Sequence, residues 1–157
     1  MATTTFKPTE AGEGREPAGA VVRRRAVRTI KVYWPVAQTT LTSCAGGDLD
    51  ALRADPSFAA LLRVLETSPG LGDFGLYDDV FEVSLGAEGF TVRPGARPSL
   101  GSVGGRVLSP TLAVTTYVDA AVDDDALTQV LARLADAHPW EIPVIELSAP
   151  LELVSRA

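Results

Sequence analysis

Two residues near the C-terminus, His138 and Glu141, have side chains suited to moving a proton. His138 is the only histidine of the 157-residue chain, and imidazole changes its charge near neutral pH. Three residues later, the Glu141 carboxylate could accept that proton or share a metal ion. His138 has three functional interpretations: a general base, a hydrogen-bond donor to an anion, or a ligand of a divalent metal. One histidine and one acid do not complete a metal site. The alternative is structural, with His138 ending a helix and Pro139 starting a strand.

A segment rich in glycine, proline and serine, residues 94–105, is flanked by arginines. Guanidinium groups of Arg93, Arg97 and Arg106 could join its backbone amides in holding a carboxylate or a phosphate. Alternatively, glycine and proline only shape a long connection while the arginines pair with an acidic surface. Connections of this length in compact domains are often functional. The ligand contacts predicted in and beside the segment are Arg93, Arg97, Gly101 and Gly104.

Other reactive residues point to structure rather than chemistry. Asp78 and Asp79 are adjacent, so on a strand they point to opposite faces and cannot form a paired acid–base site; a solvated edge accounts for them. Cys44 has no histidine nearby in sequence, which indicates an incidental thiol. Residues 70–75 match GxGxxG, but a predicted helix precedes them and a predicted strand follows, the reverse of a dinucleotide-binding unit.

Composition limits the class of protein. One cysteine excludes a disulfide scaffold, and no run of about 18 apolar residues is present to span a membrane. The formal net charge of −6 argues against bulk nucleic-acid binding. Residues 1–31 carry seven basic and three acidic side chains, so the positive charge is concentrated in the N-terminal segment. No secretion-signal pattern begins the chain, and we expect a cytoplasmic protein.

Hydrophobic periodicity predicts the elements that position these residues. Helices are predicted after Asp55-Pro56 and after Asp123, each aspartate starting a helix. Residues 38–47 are predicted to be a loop and residues 85–88 a hairpin turn. Strands are predicted at residues 29–36, 77–84, 89–93, 109–120 and 142–153.

The predicted fold is a ferredoxin-like α+β sandwich of order β-α-β-β-α-β. It has an antiparallel sheet with two helices on one face. The other face is expected to hold apolar side chains and to pack against another subunit. Residues 1–26 are predicted to be a disordered, basic-ended tail, and residues 27–155 the folded domain.

Several short motifs occur together over residues 28–154. Gly75 and Tyr77 stand at the start of a strand, and His138, Pro139 and Glu141 follow the last helix. Between them lie Phe81, Gly86, Gly89, Phe90, Pro94, Ala96, Pro98, Gly101 and Gly104. The combination resembles the inserted domain of the Nif-three-like (dinuclear metal centre hexamer) proteins and the stand-alone CutA-like proteins.

Two departures restrict what the resemblance implies. Trp140 stands where the family has tyrosine, and the strand after Gly104-Gly105 lacks the usual glutamates, with no acid before Asp119. The metal-binding body of the Nif-three-like proteins is also missing, so its two-metal hydrolase chemistry is not carried over.

The resemblance implies a CutA/PII-type homo-oligomer, a trimer, with a site in a subunit cleft lined by residues 94–105, Tyr77, His138, Trp140 and Glu141. Three functions stay open at this point. The first is a module that binds a small molecule, an anion or a metal ion. The second is a small cofactor-independent biosynthetic enzyme of lyase, cyclase or isomerase type, which would use His138 and Glu141 for proton transfer. The third is a structural assembly domain.

Overall fold

The computed structural model describes residues 21–156. Within these residues the chain forms a five-stranded antiparallel sheet with helices on one face. The predicted α+β, ferredoxin-like order is confirmed. Most of the predicted N-terminal tail, residues 1–20, lies outside the described residues.

The sheet is built around its first strand. The strands are β1 (Val22–Pro35), β2 (Phe81–Thr91), β3 (Arg106–Asp119), β4 (Ile145–Leu147) and β5 (Leu151–Arg156). Their order is β2-β3-β1-β4, and β5 also pairs with β1. On one side β1 pairs with β3 over nine positions; on the other it pairs with β4 and then β5, which the Pro150 region separates. Proline interrupts the edge because it lacks the N–H of a ladder bond.

Four helices accompany the sheet: α1 (Gln38–Ala45), α2 (Ala51–Ala54), α3 (Pro56–Glu66) and α4 (Asp124–Ala137). The two long ones begin where predicted, with Asp55 as the N-cap of α3 and Asp123 as the N-cap of α4. Apolar stripes of α3 and α4 pack on alternate residues of β1 and β3. The largest fully buried side chains include Trp34, Phe58, Ile30, Leu61, Leu65, Leu112 and Leu134.

The start of β1 and the segment after it differ from prediction. β1 begins at Val22, five residues before the predicted domain start, because residues 22–27 pair with β5. Residues 38–45, predicted to be a loop, form α1. This helix lacks a side-chain N-cap and has a weak apolar stripe, so its sequence carries little helical pattern. Tertiary contacts compensate for that weak local preference.

The predicted hairpin turn at residues 85–88 is wrong. These residues lie inside β2, with Leu85 opposite Leu112 and Glu88 opposite Ser109. Gly86 does not adopt the positive φ that a tight hairpin favours. The chain reverses instead at residues 92–105, where Gly95, Gly101 and Gly104 have positive φ. Asp78 and Asp79, predicted to be on a strand, precede β2 in a loop.

The sheet face away from the helices is polar, contrary to prediction. Lys31 on β1 forms an ion pair with Glu146 at 3.1 Å, and the Tyr33 hydroxyl donates to the same carboxylate. The Tyr117 hydroxyl donates to Glu82 at 2.6 Å, and this bond, with burial, raises the Tyr117 pKa to about 12. The alternation of β1 and β3 accounts for this face, since Ile30, Val32 and Trp34 point to the helices while Lys31 and Tyr33 point away. Val27 and the Phe74–Tyr117 ring pair are the apolar exceptions on the polar face. No helix among residues 21–156 is long and apolar enough to cross a membrane.

One carboxylate ties the first half of the chain together. Asp55 Oδ1 accepts from the backbone N–H of Ser57 and Phe58 at the start of α3. Its Oδ2 accepts from the N–H of Ala37 at 2.9 Å and from the Thr40 hydroxyl at 2.7 Å. Burial alone would raise the Asp55 pKa, but these four bonds outweigh it and hold the pKa below its usual value.

Substitutions at Asp55 separate its capping of α3 from its hydrogen bonds with Ala37 and Thr40. Asp55→Asn keeps the oxygen that caps α3 but loses an acceptor for Ala37 and Thr40; Asp55→Ala loses both. We expect urea unfolding at pH 7 to show a loss of about 3 kcal/mol for Asp55→Ala and a smaller loss for Asp55→Asn.

The pH dependence supplies the control for the Asp55 variants. Because the folded pKa is lowered, the stabilisation is complete above the unfolded pKa of about 3.9 and is lost as pH falls through the folded value. Wild type should therefore lose more stability than Asp55→Asn on acidification. Parallel acid profiles would contradict this assignment.

Candidate functional site

A cavity of about 470 Å³ lies between the end of the β2–β3 hairpin and the segment that follows α4. We call it the hairpin cavity. Its polar lining includes Glu88, Arg93 and Glu141. Its apolar lining includes Phe90, Val92, Pro98, Leu100, Trp140, Ile142 and Val144. An apolar pocket of this size with a few polar groups is typical of small-molecule sites.

The connection between β2 and β3 is tied down at both ends of the cavity. The Arg97 backbone N–H donates to the Glu141 carboxylate at 2.9 Å. At the base, the N–H of Val92 donates to the Gly105 carbonyl, and the N–H of Gly104 donates back to Val92. The cavity wall is therefore held by hydrogen bonds to β2 and to the segment after α4.

His138 ends α4 as its C-cap residue, as the structural interpretation predicts. Its ring is 7% exposed. The backbone N–H of Trp140 donates to Nδ1 at 3.0 Å, so Nε2 carries the proton and donates to the Tyr33 carbonyl at 2.8 Å. Burial lowers the His138 pKa, outweighing the two backbone hydrogen bonds. The ring is therefore neutral at neutral pH.

Aromatic rings connect the core to the cavity through His138. Trp34, fully buried in β1, meets the His138 ring edge to face with centroids 4.7 Å apart. The next contacts are His138 to Trp140 at 5.7 Å and Trp140 to Phe90 at 5.2 Å. The Trp34 indole N–H is itself fixed by Ser57. Trp140 is thus positioned by a series of rings that begins in the core.

The charged side chains that line the cavity differ in whether they already have hydrogen-bond partners. The Glu141 carboxylate is engaged by the Arg97 N–H. Burial raises the pKa of Glu88, one of whose oxygens is buried without a hydrogen-bond partner. Arg93 makes no side-chain hydrogen bond or ion pair to any residue between 21 and 156. Its guanidinium is the free charge that lines the cavity.

The structure brings together some of the predicted site residues and not others. Arg93, Trp140 and Glu141 line the cavity, whereas Arg97 contributes its backbone and His138 supports Trp140 from behind. Tyr77, 73% exposed in the loop before β2, is not part of the lining.

The two glycines predicted to bind a ligand have other contacts. The Gly104 N–H donates a hydrogen bond to the Val92 carbonyl, and the N–H of the next residue, Gly105, donates to the Ser102 carbonyl. Gly101 has positive φ, and a Cβ there would collide with Val107. The anion-binding turn predicted for this segment is therefore absent at Gly104 and Gly105.

His138 does not fit the predicted metal site, because both of its ring nitrogens are engaged by the backbone. Within residues 21–156, no group of three or more His, Cys, Asp or Glu side chains is arranged to hold a metal ion. His138 and Glu141 do not hydrogen-bond each other; each has other partners.

Sequence reasoning missed part of the apolar lining. Ile142 and Val144 line the cavity, with Ile142 82% exposed. The sequence predicts that both lie in a strand, since an alternating apolar pattern predicts pairing. The strand begins only at Ile145, leaving Ile142 and Val144 free to face the cavity.

No protein-family model and no curated protein matches the sequence. Solved structures do resemble it. A Bacillus cereus protein related to NIF3 matches with 19% identity and a TM-score of 0.48, over 82% of this chain and 26% of that one. The chain thus spans about a quarter of that protein. CutA from Synechococcus elongatus matches with 10% identity and a TM-score of 0.40, over 85% of this chain and 86% of that one. The predicted resemblance is confirmed. It is a resemblance of fold.

Replacing the only histidine tests whether it positions Trp140. In His138→Phe, the Tyr33 carbonyl and the Trp140 N–H lose their partners, and we expect a loss of about 1–3 kcal/mol in urea unfolding at pH 8. Because burial lowers the folded pKa, wild-type stability should fall as pH drops from about 6.5, the unfolded value, towards the folded one. The variant should lack this step. A step that persists in His138→Phe would refute the assignment.

Proposed function

We propose that this protein is an oligomeric binding module that holds a small aromatic carboxylate in the hairpin cavity. The observation that carries the proposal is the Phe90–Trp140 edge-to-face pair in an apolar cavity of about 470 Å³ beside an unpaired arginine. The flat, apolar walls suit a ring, and the Arg93 guanidinium suits a carboxylate.

Charge supports an anionic group facing Arg93. Of the two acids in the lining, Glu141 accepts a hydrogen bond from the Arg97 backbone N–H and so has a partner within the chain. Burial raises the pKa of Glu88, and neither acid forms an ion pair with Arg93, so the guanidinium is available to an anionic ligand. Trp140 is already oriented by its bond to His138, so the site needs little reorganisation to bind.

Binding is better supported than proton transfer. A general base needs a free nitrogen within reach of its substrate, and both nitrogens of His138 are occupied behind Trp140. Glu141 is likewise occupied in tying down the connection. These contacts favour a positioning role for the pair that the enzyme hypothesis uses as its catalytic residues.

We further propose that the cavity lies at a subunit cleft. Exposed apolar side chains line it: Leu100, Ile142 and Val144, each 42–82% exposed. A patch of this kind favours burial by a second copy. Tyr77 does not line the cavity within one protomer, so its predicted ligand contact would come from a neighbouring copy.

Trp140 and Arg93 variants test the ligand site. Naphthalene-2-carboxylate should bind wild type saturably in a fluorescence titration. Trp140→Ala should weaken it about tenfold or more through loss of ring contact. Arg93→Gln should weaken it to a similar degree but leave the uncharged naphthalene-2-carboxamide unchanged. Arg156→Gln, on β5 away from the lining, is the matched control. Equal loss for both probes in Arg93→Gln would refute the carboxylate, and no saturable binding to wild type would refute the site.

Ile142→Glu tests the cleft. Light scattering at micromolar concentration should give wild type a multiple of the 16.5 kDa chain mass. Ile142→Glu should shift this towards a single chain, because it places a charge in the apolar patch. Leu49→Glu, at another exposed leucine outside the patch, should leave the mass unchanged. A wild-type monomer would overturn the oligomeric part of the proposal. An oligomer that binds none of the probes would favour the structural assembly domain.

A further inference from the structure

A second cavity, of about 520 Å³, lies between α2, α3 and the start of β2. We call it the helix cavity. It shares no lining residue with the hairpin cavity. Its apolar lining consists of Leu49, Leu52, Phe58, Leu62, Leu65 and Phe81. Phe58 and Leu65 are each 1% exposed, so the cavity reaches the hydrophobic core.

Three charged side chains also line the helix cavity: Arg53, Glu66 and Asp79. None of them makes an ion pair or a side-chain hydrogen bond with a residue between 21 and 156. Arg53 and Glu66 are exposed, whereas Asp79 is half-buried. The apolar cavity is therefore lined by charges of both signs that form no ion pair within the described part of the chain.

The backbone holds Asp79 in place. It has φ of +55°, and no other non-glycine residue among those described has positive φ. The N–H of Val80 donates to the Gly72 carbonyl at 3.0 Å, and the Gly72 N–H donates to the Tyr117 backbone carbonyl at 2.7 Å. A Cβ at Gly72 would lie 2.5 Å from Val80 N, so only glycine permits this closure. Conformations of this kind persist where the surrounding structure enforces them, and they cluster at ligand sites.

These charges select one class of ligand. An apolar anion would face two carboxylates, and an apolar cation would face the guanidinium. A zwitterion with an apolar body satisfies both: its carboxylate pairs with Arg53, its ammonium pairs with Asp79 or Glu66, and its body contacts leucine and phenylalanine. We infer that the helix cavity binds a free α-amino acid with a large apolar side chain.

Calorimetry on the full chain tests the ligand class. L-Leucine and L-phenylalanine should bind saturably, and L-alanine about tenfold more weakly or worse, because it leaves the apolar floor uncovered. The half-charged analogues of leucine, 4-methylpentanoate and 3-methylbutylamine, should also bind about tenfold more weakly. Alanine binding as well as leucine, or the amine binding as well as leucine, would overturn the assignment, as would no saturable binding of leucine or phenylalanine.

Two charge-removing variants test the residues. Arg53→Gln should weaken leucine about tenfold and bind 3-methylbutylamine at least as well as wild type does; Asp79→Asn should weaken leucine about tenfold and bind 4-methylpentanoate at least as well as wild type does. Asparagine tolerates positive φ as aspartate does, so the loop is preserved.

Matched controls are available close to the variant residues. Arg63→Gln lies on α3 and Asp78→Asn is adjacent to Asp79, and neither residue lines the helix cavity. Both should bind leucine as wild type does. If either control loses as much affinity as its partner variant, the effect is general electrostatics and the assignment is refuted.

Discussion

The carboxylate of Asp55 is the constraint on which the first half of the fold depends. Its two oxygens have different partners: one starts α3, and the other holds the end of β1 and the first turns of α1. Asp55 also ends α2, so the same residue stands at the junction of α2 and α3. Because those two helices wall the helix cavity, the contacts of this buried acceptor support one side of that cavity.

A similar dependence connects the second half of the chain to the core. The Trp34 indole N–H donates a hydrogen bond to Ser57, which follows Asp55 by two residues, and the Trp34 ring contacts His138. His138 in turn bonds the backbone of β1 and of Trp140. The histidine that sequence alone singles out as reactive is therefore placed between the core and the hairpin cavity, where its hydrogen bonds fix an aromatic wall.

Local chemistry made part of the fold predictable. Asp55, followed by Pro56, and Asp123 each cap a helix with their own side chain. The sequence alone therefore predicts both helix starts, and the structure confirms them. α1 could not be predicted, because its stabilising bond from Thr40 to Asp55 crosses fifteen residues. Gly86 suggested a turn that the pairing of β2 with β3 overrides, since strand pairing depends on residues far along the chain.

The candidate sites show the same division. The motif after the last helix predicts Trp140 and Glu141 as site residues, and the glycine-rich segment predicts its neighbour Arg93. The sequence does not predict Ile142 and Val144, since their exposure depends on where β4 begins. The helix cavity was invisible in the sequence: Arg53, Glu66 and Asp79 come together only through the packing of α2 and α3 against the start of β2.

The two walls of the hairpin cavity differ in their freedom to change. Residues 93–100, which form part of the wall on the side of the β2–β3 connection, are all exposed, so this side has few core contacts to lose. The wall beyond His138 is bonded into the core. Substitutions and insertions that alter recognition should accumulate on the hairpin side, where stability does not oppose them. A designer seeking a new specificity would diversify that side and leave the histidine side intact.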